Sequence, residues 1–390
     1  MRKRLAIITT HPIQYNAPIF KLLAQSKKVR PKVFYTWGET VLQSKFDPGF
    51  KKEIEWDIDL LEGYDYEFLK NVAKEKGSHH YKGIINPEII EKINEWHPEA
   101  ILVYGWKFQS HLKVMRHFKN KIPVWFRGDS TLLDEKKNSK NFLKNILLQW
   151  VYRHIDIAFY TGTNNKNYFL QNGLKPHQLI KALHAIDNQR FQNINGRYSL
   201  PAQEWKAKLK ISNNSFIFLY AGKLELKKGV KTLLKAFMKF TNEPIHLVIV
   251  GNGPEEENLK NLYGNINNVT FLDFQNQMMM PVVYQLCDVF VLPSIGPGES
   301  WGLSMNEAMA AGKAVIASDR CGGAVDLIIN GSNGYIFEAG NADDLFIKMK
   351  CLNDKKNDIG KFEEMSLSKI EEFTFQKFVF SIENLMYCNG

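Results

Sequence analysis

Short apolar runs rich in β-branched and aromatic residues alternate along this chain with stretches whose apolar positions recur at helical spacing. In the first half the pattern predicts strands at residues 5–9, 32–35, 100–104, 123–126 and 155–160. Between them lie helical stretches such as 87–96, with Asn86 as cap and Pro87 in the first turn. Residues 187–214 turn polar and irregular (beginning DNQRFQNINGRYS), with one helical piece near 202–209, and read as a linker. The second half then restarts with a strand at 216–220. Val230, Leu233, Leu234 and Phe237 follow at i, i+3, i+4 and i+7, one face of a helix. Strands at 245–250, 269–272 and 289–293, a helix carrying Glu307 and closed by Gly312, and a strand at 314–317 complete the series.

Strand and helix in alternation predict α/β architecture, parallel sheets wrapped by helices. The polar break divides the chain into two sequential doubly wound domains, residues 1–195 and 196–372, with 373–390 as a final helix. In such sheets ligands sit beyond the carboxyl ends of the strands. That rule collects the informative loops of both halves in one interdomain cleft. The second half supplies 222–229, 251–255, 274–277 and 294–302. The first supplies 11–15 (His11, Gln14), 105–106 (Gly105) and 127–130 (Arg127, Asp129).

Composition narrows the class. With 390 residues, 44% of them apolar and 24% charged, the chain has material for sizeable cores. Cys287, Cys321, Cys351 and Cys388 stand without CxxC spacing, which fits a reducing compartment and no zinc site. The N-terminal apolar run is too short for a signal peptide, and no stretch is long and apolar enough to span a membrane, so a cytoplasmic protein is expected. The net charge of +10 is spread over dispersed lysines, and without basic runs interleaved with aromatics no nucleic-acid partner is expected.

The chemistry centres on GPGESWGLSMNEAMAAG (296–312). A loop holding Glu299 leads from a buried-type strand into a helix at about Gly302, where amides and the helix dipole offer a seat for a diphosphate. Met305, Ala308 and Met309 share the core face; Ser304 and Glu307 share another, and Glu307 leans back toward the loop. Acids beside a phosphate seat are repelled unless they accept from hydroxyls, as in ribose or sugar recognition. Spacing alone equally permits a loop acid and an ordinary exposed helix charge. AGKLELKKG (221–229) adds Lys223 and Lys228 in the loop after the domain's first strand. There they would neutralise a diphosphate leaving group with no metal, unless they are surface lysines of a lysine-rich chain. GNGP at 251–254 is a weak glycine signal.

ESWGLSMNEAMAAGKAVIASDRCGG resembles the donor-site signature of glycosyltransferase family 4, whose members are retaining enzymes of the GT-B fold, two Rossmann-like domains facing across a cleft. The family's Glu-x7-Glu pair falls on Glu299 and Glu307. Its Gly-Arg-x4-Lys-Gly loop resembles GKLELKKG, with Gly222 first, Lys223 in the arginine's place and Lys228 at the lysine. VIVGNGPEEENL, CDVFVLPS and NGSNGYIFEAGN extend the resemblance over most of residues 215–350. THPIQYNAP, FRGDS and LHAIDNQRF are similar to a subset of bacterial members. The chain departs from the family at His11–Pro12, where a Gly-Gly loop is usual, and at Arg127–Gly128–Asp129, where a histidine is usual.

The resemblance implies the following roles. Glu299 holds the sugar, Glu307 the ribose, and Lys223 with Lys228 the phosphates of a UDP- or GDP-hexose. Backbone amides from Trp301 through Gly302 and Leu303 to Ser304 cradle the diphosphate, and the base lies against Gly251 and Phe274. The leaving diphosphate takes the acceptor's proton, with Asp129 as a nucleophile or orienter. His11, Gln14, Gly105 and Arg127 fall on the acceptor side, and the final helix crosses back to the first domain. A glycan or lipid-linked acceptor in cell-surface polysaccharide or lipopolysaccharide synthesis follows. A nucleotide-sugar epimerase or hydrolase on the same fold, or a degenerate sugar-nucleotide-binding module, is the rival.

Remaining signals weigh toward structure. WDIDL (56–60) holds a D-x-D but alternates like a half-buried strand, and His79–His80 reads as an exposed loop pair. The apolar stripe of 141–155 (Phe142, Leu143, Ile146, Leu147, Trp150, Val151), flanked by Lys140, Lys144 and Arg153, is expected to pack on the sheet, with peripheral contact to the inner membrane face as the other reading.

Overall fold

The computed structural model describes residues 2–39, 45–47, 49–54, 57–135 and 139–388. Its contacts divide the chain into two units: Met1–Ser44, Asp59–His184 and Phe375–Gly390 in the first, Lys45–Ile58 and Ala185–Thr374 in the second. Strands are numbered in chain order. They are β1 Lys3–Thr9, β2 Val29–Tyr35, β3 Lys45–Asp47, β4 Lys52–Ile54, β5 Asp65–Phe68, β6 Ala100–Tyr104, β7 Val124–Arg127, β8 Ile157–Tyr160 and β9 Leu179–Lys181, then β10 Phe216–Ala221, β11 Ile245–Val250, β12 Val269–Leu272, β13 Val289–Leu292, β14 Ala314–Ser318 and β15 Gly334–Phe337.

In the first unit a parallel sheet runs β5-β2-β1-β6-β7-β8-β9. Central β1 pairs Lys3 with Val29 on one side and Leu5 with Ala100 on the other. Leu5–Thr9 is buried throughout because helices cover both faces, which is why the strand reads as an unbroken apolar run. Ile8, Phe34, Ile101, Val103, Phe126 and Phe169 belong to one core cluster. The Phe375–Cys388 helix belongs to this unit, where Phe378 meets Phe159 at 5.3 Å between ring centroids.

In the second unit a parallel sheet runs β12-β11-β10-β13-β14-β15. Val230, Leu233, Leu234 and Phe237 are buried on one face of the Val230–Phe237 helix, as their spacing predicts. The antiparallel β3–β4 hairpin groups with this unit.

Several local expectations are corrected. Residues 187–214 are less irregular than expected: beside the expected helical piece, which runs Ser199–Lys208, they hold a second helix, Asn188–Phe191, and both group with the second unit. Asp187 caps the Asn188–Phe191 helix by accepting from the Arg190 amide, and Phe191 is fully buried against Tyr284. Asn86 does not cap the Ile89–Trp96 helix. Its buried amide donates instead to the carbonyls of Thr36 and Lys70, both at 3.0 Å. Residues 57–60 form no strand, and Trp56 lies outside the described residues. Asp57 accepts from the Met278 amide at 3.1 Å, while Asp59 accepts from the amides of Leu61 and Glu62. Among the described side chains of the Ser139–Tyr152 helix, the large apolar ones that pack on the core are Leu148, Val151 and Tyr152. Phe142, Leu143, Ile146, Leu147 and Trp150 face away from the core and are exposed.

Candidate functional site

In the second sheet the strand order reverses between β10 and β13, and the loops that leave these two strands are stitched together by main chain. The Ile295 amide donates to the Lys227 carbonyl at 2.8 Å. Gly229 sits at φ +67°, and a Cβ there would lie 2.0 Å from the Pro293 carbonyl oxygen, so only glycine lets the loops approach this closely. This contact brings Lys228 to Glu299: Nζ and Oε2 are 2.5 Å apart, with side chains only 23% and 13% exposed. Ser294 Oγ donates to the same carboxylate oxygen at 2.8 Å.

The Leu303–Ala310 helix starts from Gly302 at φ +92°, where a Cβ would press on Leu292 and Met305 at 2.7 and 2.9 Å. Met305, Ala308 and Met309 are fully buried, as expected. Glu307 is no exposed helix charge: it is 4% exposed and accepts from the buried Tyr284 hydroxyl at 2.8 Å. The Trp301 side chain is structural, buried with its indole N–H donating to Asn306 at 2.8 Å, while the Trp301 carbonyl accepts from the Gly323 amide. Leu303 and Ser304 open the helix, where the first-turn amides face out of the helix end.

The two lysines turn to different partners. Lys223, whose carbonyl accepts from the Tyr220 hydroxyl at 2.7 Å, places its ammonium 4.9 Å from the Phe50 ring centroid. Phe50, at the tip of the β3–β4 hairpin, meets Phe274 edge-on at 4.8 Å. Asn252 holds this corner by accepting from the Phe274 amide at 2.8 Å. Gly251 serves the protein's own packing: a Cβ there would stand 2.0 Å from the Gly222 carbonyl oxygen. The Gly222 amide bonds the Val250 carbonyl and the Leu224 amide the Asn252 carbonyl, so the loops after β10 and β11 form one zippered rim. Phe50 and Tyr284 carry no local motif. Phe50 stands out only as an aromatic among polar neighbours, and Tyr284 sits in an apolar run (PVVYQLC) that reads as core.

Buried beneath the rim, Cys321 has its thiol pushed up to about 12 by burial, with the Glu299 charge adding to the effect. It is therefore a neutral thiol at physiological pH and no nucleophile. Burial, reinforced by Glu299, likewise raises the Tyr220 phenol well above its ordinary range.

In the first unit the named residues lie at the carboxyl ends of β1, β6 and β7, adjacent strands about that sheet's own reversal. His11 Nδ1 is 2.8 Å from Thr10 Oγ1 and its ring meets Trp37 edge-on, while Gln14 is half-buried. Gly105, at φ +72°, donates its amide to the Arg127 carbonyl. Arg127 is buried; it donates to the Ala182 carbonyl at 2.8 Å and lies over the Phe378 ring at 4.2 Å. Asp129 is exposed. Beside these two stands a residue to which the sequence reading gave no role, His184. Burial and then the Arg127 charge hold its pKa down to about 3, against the opposing pull of Asp129. Among the described residues no three His, Cys, Asp or Glu side chains are grouped as metal ligands.

Two doubly wound parallel sheets in one chain, each reversing beside its first strand, define the GT-B fold of glycosyltransferases. HepE from Anabaena, solved with UDP and glucose, has this fold: it superposes at a TM-score of 0.70 over 99% of both chains with 16% identity. Residues 201–362 match the family model of glycosyl transferases, group 1. A Campylobacter jejuni N,N'-diacetylbacillosaminyl-diphospho-undecaprenol α-1,3-N-acetylgalactosaminyltransferase is 28% identical over 220 residues, 56% of each chain. A Salmonella typhimurium lipopolysaccharide 1,2-N-acetylglucosaminetransferase is 30% identical over 147 residues, 35% of this chain and 38% of that one. The match thus spans 56% and 38% of the length of these two relatives.

Proposed function

We propose that the protein is a retaining glycosyltransferase of family 4. It would move a hexose-type sugar from a UDP- or GDP-sugar to a glycan or lipid-linked acceptor in cell-surface polysaccharide or lipopolysaccharide synthesis. The observation that carries this reading is the pairing of Lys228 with Glu299 at the sheet's reversal, beside a helix start and a buried, hydrogen-bonded Glu307.

Each residue takes a part in the reaction. Lys228, Lys223 and the Leu303 and Ser304 amides stabilise the diphosphate as the C1–O bond to it breaks. Glu307, held by Tyr284, accepts from the ribose hydroxyls. Glu299 turns its carboxylate to the sugar, and the base lies against Phe274 and Phe50. The acceptor oxygen bonds C1 on the face the diphosphate leaves, and its proton passes to a leaving phosphate oxygen. His11, Gln14, Gly105, Arg127 and Asp129 are assigned to the acceptor, with Asp129 orienting its hydroxyl. With two cations serving the diphosphate, no divalent metal is required. The Campylobacter relative's undecaprenol-linked substrate supports a lipid-linked acceptor. The three described cysteines are free thiols, which supports the cytoplasm as the working compartment.

The test is release of nucleoside diphosphate from UDP- and GDP-sugars with EDTA present. Release that depends on added acceptor is expected. Release without acceptor would instead favour the hydrolase or epimerase reading, and activity lost in EDTA but restored by manganese would refute metal independence.

A further inference from the structure

The Ser139–Tyr152 helix is apolar on two sides. At 100° per residue, Leu148, Val151 and Tyr152 cover the core-facing arc. Phe142, Ile146, Trp150, Leu143 and Leu147 cover an arc of about 140° on the opposite side. These five side chains are between 37 and 67% exposed. Single exposed apolar residues are ordinary, but five on one arc within about 12 Å of helix form a continuous patch. Taking about 200 Å² per large side chain, the patch offers on the order of 500 Å² of apolar surface, the size at which patches mark an interaction site.

The charges about the patch state what covers it. From residue 139 to residue 154 the sequence holds lysines, an arginine and a histidine but no acid. Arg116 lies over the Trp150 ring at 5.3 Å, and Lys113, Lys121 and Arg153 are exposed. Of the acids near it, Glu135 pairs with Lys144 at 2.8 Å and Asp156 with Lys119. Two copies meeting through this face would bring cations against cations. An anionic lipid surface accepts them, and a tryptophan with a stacked arginine suits the headgroup level, where one side of the ring is apolar and the other wet. No helix among the described residues is long and apolar enough to cross a membrane, so the helix lies in the interface plane.

We infer that the Ser139–Tyr152 helix docks the protein on an anionic membrane surface, with Phe142, Leu143, Ile146, Leu147 and Trp150 inserted among the acyl chains and Arg116 and Arg153 on the headgroups. The inference is independent of the transfer reaction, since vesicle binding needs neither donor nor acceptor.

The test is co-sedimentation of the full chain with vesicles of phosphatidylcholine alone and of phosphatidylcholine with 30% phosphatidylglycerol. Binding should favour the anionic vesicles by about tenfold or more and weaken between 0.1 and 0.5 M salt. Ile146→Asp with Leu147→Asp should lower it at least about tenfold. Arg116→Glu with Arg153→Glu should remove the preference for anionic lipid while leaving residual apolar binding. Because these positions are exposed, the variants should unfold at the parent's temperature, and gel filtration checks their state. Absence of binding to either vesicle, or binding untouched by the aspartates, overturns the inference. So does a concentration-dependent dimer that the aspartates dissolve, which would assign the face to a second copy.

Discussion

Replacing Lys228 by Met and Glu299 by Gln, singly and together, probes the centre of the proposed site. At a charge separation of about 3 Å and an effective dielectric near 20, their attraction is roughly 5 kcal/mol gross. Both side chains keep some solvent access, 23% and 13%, so the pair falls between exposed pairs, worth about 0–1 kcal/mol, and buried ones whose breakage costs about 3–5. A coupling of about 1–3 kcal/mol is expected from urea unfolding of the four proteins, with Lys228→Met the more damaging single change because it leaves Glu299 to Ser294 alone. In steady-state assays against donor concentration, Lys228→Met should lower kcat about 10²–10³-fold through the lost phosphate cation, and Glu299→Gln about 10²-fold through misplacement of the sugar. If both act on one step, the double variant should fall no further than about the worse single change. Unfolding energies that add together with kcat losses that multiply would refute the coupling. Unchanged kcat in both single variants would reduce the pair to packing.

The remaining expectations are narrower. Glu307→Ala should raise the donor KM about ten- to hundredfold with kcat nearly unchanged, and Tyr284→Phe about fivefold through one lost hydrogen bond; a fall in kcat at constant KM would reverse the assignment. Phe50→Ala should raise donor KM about tenfold, the cost of one lost aromatic contact with a base, and an unchanged KM would remove the hairpin tip from the site. His111, buried with Nδ1 against the carbonyls of Tyr104 and Gly105, has its pKa lowered by burial to about 4. Its contribution is intact above the unfolded value near 6.5 and is lost as pH falls toward 4, so the chain should lose about 2 kcal/mol from this group between pH 7 and pH 5. Urea unfolding of the parent and His111→Gln at the two pH values checks this, and an equal loss in both proteins would contradict it.

Strands were legible in the sequence wherever helices cover both sheet faces. IHLVIV at 245–250 is apolar but for His246, which is buried and paired with Thr270, because no face of β11 meets water. The Val230–Phe237 helix was equally plain, because one face alone is buried. The Ser139–Tyr152 helix was misread for the reason that makes it useful. A broad apolar arc states how much surface is apolar, but it does not state which part the fold covers. Within 187–214 the Asn188–Phe191 helix escaped notice because Asn, Gln and Arg dominate it, while its packing rests on Phe191 and the Asp187 cap. Docking of the β3–β4 hairpin on the second unit is a long-range contact that no local pattern announces: Phe50 and Phe274 are brought together only by tertiary structure.

The glutamates show the same limit from the chemical side. The spacing of Glu299 and Glu307 places both acids about one helix start, yet it leaves each free to be surface charge. Glu307 stops being surface charge through Tyr284, and Glu299 through Lys228, 71 positions earlier in the chain. That second partnership bears on how a donor would bind. A carboxylate held alone in a phosphate seat would repel the ligand, and a lone half-buried ammonium would pay desolvation with no return. Paired, each satisfies the other until a diphosphate competes for Lys228. Glu299 then gives up its cation and accepts from the sugar hydroxyls that arrive with it. Donor binding would thereby exchange one set of charge-assisted hydrogen bonds for another, with Ser294 holding the carboxylate through the exchange.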